Sequence, residues 1–143
     1  MRLLPIAAAS ILVVSLTGCS AVTDFIHNET ESEFDDLAAF TENWHGAQSA
    51  QWLPGDAELI HVRESTDGGT AIIGFSSGSL LDPTKCAETD RLSGPSFTDD
   101  WAPEKVYVER VFACGDWAVM ATDDGWYGWT PSAAGEQAAA PAA

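Results

Sequence analysis

Four aromatic side chains crowd one short stretch near the C-terminal end: Trp117, Trp126, Tyr127 and Trp129. Asp123 and Asp124 stand among them. Rings beside carboxylates are suited to stacking on a sugar or to holding a cation over a π face. Strands alternate their side chains between two faces. A hairpin turning at Asp124-Gly125 would therefore put Tyr127 and Trp129 on one face with Met120. Trp126 would fall on the other face, with Asp123 beside it. Trp126, Tyr127, Trp129 and Asp123 are thus the candidate binding surface. The competing reading is packing, with Trp126 capping the edge of the core or lying under the stretch 76–103.

Catalytic chemistry has weaker support. The chain has no GxSxG, HExxH, P-loop or paired CxxC pattern. Its histidines are His27, His45 and His61. His45 near a helix C-terminus is explained by the helix dipole, and His61 falls on the polar face of a hairpin. Ser76, Ser77 and Ser79 sit in a Gly/Ser loop. These residues form no nucleophile–base–orienter set, so no catalytic residue is assigned. Asp99-Asp100 and Asp123-Asp124-Gly125 lack the alternating oxygens and terminal glutamate of an EF-hand loop. No metal ligand and no cofactor is assigned.

The elements that must carry these residues follow from spacing. Thr30-Glu31-Ser32-Glu33 reads as a capping box. Phe34, Leu37, Phe40 and Trp44 follow at helical intervals, predicting a helix over 31–45 with Gly46 as its stop. Two β runs, 59–65 and 70–77, flank Thr66-Asp67-Gly68-Gly69, a strong hairpin signal. Ile60, Val62, Ile73 and Phe75 share one face of that hairpin, and His61 and Arg63 share the other. The stretch 76–103 is punctuated by Gly and Pro and is expected to be loop, with a helical turn near 83–87. Runs 106–114, 117–122 and 126–130 read as an antiparallel meander with turns at Gly115-Asp116 and Asp124-Gly125. The expected fold is α+β: one N-terminal helix packed on an antiparallel sheet of about five short strands. The tail 132–143 is rich in Ala and Pro and is expected to be disordered.

The first residues have the parts of a secretory signal. Arg2 is the lone cation of the n-region, and an apolar run extends from Leu3 to about Leu16. Leu16-Thr17-Gly18-Cys19 closes that run, and this resembles the lipobox of bacterial lipoproteins. The resemblance covers only the first twenty residues. It implies a diacylglyceryl group on the Cys19 sulfur and cleavage before Cys19. Two acyl chains give stable anchoring where one does not. The implied organisation is a signal peptide over 1–18, a lipidated tether over 19–29, a single domain over 30–131 and the tail 132–143. With Cys19 assigned to lipid, Cys86 and Cys114 remain, and two such thiols outside the cytosol are expected to pair. A metal site is the alternative for them, although no CxxC or neighbouring His supports it.

Composition sets outer limits. The apolar fraction of 45% supports a real core. Six Lys and Arg against 22 Asp and Glu give a net charge of −16. That field repels nucleic acid and anionic headgroups, so no nucleic-acid partner is expected. It favours cationic partners, or serves to keep a tethered domain soluble. Few lysines and many alanines and acids make the chain resemble short lipoproteins of high-GC Gram-positive (actinobacterial) bacteria. That resemblance implies a lipid anchor in the cell membrane, on its extracytoplasmic face, and supplies no activity. The expected function is binding of a protein, glycan or small ligand at the cell envelope. An accessory subunit of a membrane-surface complex and a small hydrolase-type enzyme are the alternatives.

Overall fold

The computed structural model describes residues 28–46 and 49–142. Cys19, the signal segment and nearly all of the tether lie outside the described residues. Seven strands form one antiparallel sheet: β1 (Glu29–Asp36), β2 (Glu58–Ser65), β3 (Ala71–Ser76), β4 (Ala87–Asp90), β5 (Arg110–Cys114), β6 (Trp117–Ala121) and β7 (Gly125–Thr130). Their order is β1-β2-β3-β7-β6-β5-β4. Helix α1 (Leu37–Asn43) follows β1, and α2 (Ala134–Ala139) follows β7. No helix among the described residues is long and apolar enough to cross a membrane.

The sheet has seven strands where about five were expected, and its first element is a strand. The run Glu29-Thr30-Glu31-Ser32-Glu33-Phe34 alternates strictly. As strand β1 it pairs with β2 over Glu29↔Ser65 to Asp36↔Glu58. Thr30 therefore caps nothing. The helix begins at Leu37, capped by Asp36, whose Oδ1 accepts from Ala39 N at 2.8 Å. Its seven residues end at Asn43, with Trp44 rather than Gly46 closing the last turn.

Both hairpins form where the sequence places them. Val62 stands opposite Ile73, and Met120 opposite Tyr127. The two units join through β3 and β7, which pair from Ala71↔Thr130 to Ser76↔Gly125. The strands approach so closely there that a Cβ on Gly125 would lie 2.0 Å from the Phe75 carbonyl oxygen. Cys86 and Cys114 form a disulfide, with Cα atoms 4.3 Å apart. It extends the β4–β5 ladder by one step beyond Ala87↔Ala113.

Both sheet faces are covered. One carries Ile60, Val62, Ile73, Phe75, Trp117, Val119 and Trp126 beneath Phe40, Trp52 and Leu53. The other carries Ile72, Val111, Ala118, Met120, Tyr127 and Trp129 beneath Phe97, Trp101, Val106 and Val108. The second cover is irregular chain that runs from the end of the Gly/Pro-punctuated stretch through Val106 and Val108, expected as strand, to the start of β5 at Arg110, and it acts as a strap.

The segment expected as a disordered tail is ordered and holds α2. Glu136 is 0% exposed. Its carboxylate accepts from the backbone N–H groups of Leu92, Ser93 and Ala133 and from Ser93 Oγ. Four donors satisfy an anion that burial would otherwise penalise.

Candidate functional site

One row of paired residues crosses five strands: Glu33, His61, Gly74, Tyr127 and Met120. Strand alternation sends the whole row to the strap-covered face. Glycine at its centre leaves a notch that Trp101 enters, since a Cβ on Gly74 would lie 3.0 Å from the Trp101 ring. A cleft of about 640 Å³ opens beside this row. Its walls include His61, Phe75, Trp101, Glu104, Lys105, Met120, Asp123, Trp126 and Tyr127.

Edge strand β1 holds the strap down. Its period-2 acids each meet a partner on this face. Glu29 takes the Arg63 guanidinium at 2.6 Å, Glu31 accepts from Trp101 Nε1 at 3.1 Å, and Glu33 lies 3.2 Å from His61 Nδ1. The last pair is out of line for a hydrogen bond, and His61 Nδ1 has no hydrogen-bond partner. Arg63 also reaches Asp99 in the strap at 2.8 Å. Hydrogen bonds to Glu29, and secondarily to Asp99, push the Arg63 guanidinium above its ordinary range. His61 stacks on Trp101 with ring centroids 5.4 Å apart.

Two features of the cleft wall are costly. The Tyr127 hydroxyl is buried and has no hydrogen-bond partner, in a residue only 1% exposed. Burial, with a lesser push from Asp99, raises its pKa well above the phenolic range. The second is Leu59, with φ +50° where β2 bulges and the side chain 62% exposed at the lip. A bulky residue at positive φ is strained, and such strain concentrates at functional sites.

Of the four candidate surface residues, Asp123, Trp126 and Tyr127 line this cleft and Trp129 does not. None of the three rings offers the open surface expected of them. Trp126 is 7% and Trp129 1% exposed. The indole N–H groups are spent on holding loops: Trp117 donates to Ser49 O, Trp126 to Ser79 O and Trp129 to Ser93 Oγ. The loops and the strap cover what the helix leaves of the two faces. Trp126 does lie under the stretch 76–103.

His61 does meet a carboxylate in a cleft, yet no side-chain hydroxyl or thiol among the described residues hydrogen-bonds to it, so no nucleophile–base pair is assembled. Nor do any three His, Cys, Asp or Glu side chains among the described residues gather as a metal-binding group. Trp101, Glu104, Lys105 and Leu59 carried no signal in the sequence that marked them as neighbours. Only the fold brings them to the notch at Gly74. The molecule is thus an antiparallel α+β domain with one aromatic-walled cleft on its strap-covered face. Comparison with protein-family models, curated proteins and solved structures finds no match to this chain.

Proposed function

We propose that this chain is a lipid-anchored protein of the extracytoplasmic membrane face that works by binding a ligand in the cleft along the His61–Tyr127 row. The observation that carries the binding reading is the Tyr127 hydroxyl, a buried polar group left unpaired in the wall of an open cleft. An unpaired buried donor costs about 1–3 kcal/mol, and a ligand that pairs with it recovers that cost. The anchor reading rests on Leu16-Thr17-Gly18-Cys19 after an apolar run. The Cys86–Cys114 disulfide supports export, because such bonds persist outside the reducing cytosol.

Two experiments test these halves separately. Cells expressing the full chain are fed a labelled fatty acid. The native protein should take up label and Cys19→Ala should not; label on the variant, or none on the native chain, overturns the anchor. For the cleft, a thermal-shift panel of small amines, cell-wall sugars and peptides is run on the native chain and on Gly74→Val. Ligands that bind the folded state raise its apparent stability. The valine fills the notch and displaces Trp101, so a shift that survives it unchanged places binding elsewhere.

A further inference from the structure

We propose that the cleft takes a primary organic ammonium carried on an apolar body; this rests on the reading of the cleft as a ligand site. Three observations converge. The first is charge. Glu104, Asp123 and Asp124 line the cleft against Lys105, and none of these acids has a cationic partner within 4.0 Å among the described residues. The chain's net charge of −16 adds a field of the same sign. An anionic ligand would meet repulsion at the mouth, whereas a cation is drawn in.

The second is the chemistry of the walls. Trp101 and Tyr127 are the aromatic side chains on this face that line the cleft, and Met120 adds a polarisable thioether; Phe75 and Trp126 border it from strands whose rings pack on the opposite face. Aromatic faces attract cations and apolar rings alike. Leu59 at the lip extends this surface outward. The third is the unpaired Tyr127 hydroxyl. A phenolic oxygen accepts a hydrogen bond, and an ammonium N–H is a strong donor. The Trp101 ring stands edge-on to Tyr127 with centroids 6.3 Å apart. A ligand reaching the hydroxyl has to move the strap side chains above it, and Trp101 is held there by its hydrogen bond to Glu31, its stack on His61 and its seat in the Gly74 notch. A quaternary ammonium has no N–H to give and would use the rings alone.

The test is calorimetric titration of the full chain, in a non-ionic detergent, with benzylammonium, benzyltrimethylammonium, benzyl alcohol, phenylacetate and N-acetylglucosamine. Benzylammonium should bind about tenfold or more tighter than its neutral isostere, the scale of one cation–π or charge-assisted contact. Its affinity should fall with added salt, and phenylacetate should be the weakest aromatic probe. Tyr127→Phe should weaken benzylammonium severalfold and leave benzyltrimethylammonium unchanged. Glu104→Gln with Asp123→Asn should weaken both cations. Equal binding of benzyl alcohol and benzylammonium, or tighter binding of phenylacetate, overturns the proposal. So does a Tyr127→Phe protein that binds every probe as the native chain does. Binding of the sugar alone refutes the cation and keeps the cleft as a ligand site. Silence from every probe removes both readings.

Discussion

The two faces of the sheet are built from the same strands and finished differently. On the α1 face, Trp117 and Trp126 sit under chain that their own indole N–H groups hold in place, through Ser49 and Ser79. On the strap face, one end is equally tight. Trp129 donates to Ser93 Oγ, and Ser93 donates to the buried Glu136 carboxylate. The other end is open, with Tyr127 unpaired at a cleft. Among the described residues, unpartnered buried groups on aromatic side chains occur on both faces: Trp52 Nε1 on the α1 face, and the Tyr127 hydroxyl and His61 Nδ1 on the strap face. Trp52 is surrounded by Phe75 and Trp117 at 5.8 and 5.9 Å, in the body of the core. Tyr127 lines a cavity. An unsatisfied group in a core is a cost of packing, and one in a cleft wall is an opportunity for a ligand. The difference comes from the covers. The α1 cover leaves a cleft of about 560 Å³ beside Phe40, Trp44 and Leu53, which Trp52 does not line, whereas the strap pinned through Arg63 and Trp101 leaves its opening at Tyr127.

That contrast can be broken by unequal truncations. Trp117→Ala on the α1 face should cost about 3–5 kcal/mol, the range for removing a fully buried large ring. Trp101→Ala on the strap should cost about 1–2 kcal/mol, as for a half-buried side chain. Urea midpoints decide it, and equal losses would mean that the two covers are equivalent.

The disulfide belongs to the α1 face. It closes a separation of 28 residues. Its reduction should therefore remove roughly 3 to 4 kcal/mol by the chain-entropy estimate. The check is denaturation with and without reductant. Thiol titration of the denatured, unreduced protein should find neither Cys86 nor Cys114 reactive.

Glu136 tests the tight end of the strap face. Burial by itself pushes its carboxyl up. Hydrogen bonds from Ser93 Oγ and the N–H groups of Leu92, Ala133 and Ser93 outweigh that, and hold it below the usual glutamate range. A carboxyl with a depressed folded pKa contributes stability that is present above its unfolded value, about 4.3, and is lost as pH falls through the folded value. Glu136→Ala, which leaves those donors unpaired, should cost about 1–3 kcal/mol at pH 7. The native protein should lose part of that advantage as pH falls below the unfolded value and through the depressed folded one. Midpoints of the native and Glu136→Ala proteins should converge as pH drops; a constant gap would mean that the carboxylate charge is not what the donors hold.

The smallest effect has the opposite sign. Tyr127→Phe removes a buried hydroxyl that has no partner and keeps the ring. It should leave stability unchanged or raise it by about 1 kcal/mol. A loss above that size would mean the hydroxyl is satisfied in solution, and the contrast between the faces would weaken.

Local pattern made much of this fold legible. The Asp67-Gly68 and Asp124-Gly125 hairpins, the Val62–Ile73 and Met120–Tyr127 pairings and the assignment of Trp126 to the opposite face all follow from period two. So does the sense of His61, away from Ile60 and Val62. Strand β1 was misread because Phe34, Leu37, Phe40 and Trp44 fit a helical stripe across what are really a strand end, a short helix and its cap. The strict Glu-Thr-Glu-Ser-Glu-Phe alternation was the better signal. α2 was missed because an Ala-rich, nearly uncharged segment has no apolar stripe. Its one charge, Glu136, is the residue that docks it.

By itself the sequence determined the hairpins and their faces, because turn chemistry and strand alternation act between near neighbours. The order in which the hairpins join through β3 and β7, the strap over the second face and the notch at Gly74 were decided only in three dimensions. So were the residues that meet there. Contacts between Glu31 and Trp101, or Arg63 and Asp99, span tens of residues. They exist only once the sheet has fixed where each strand's outward side chains stand, and no local propensity encodes that.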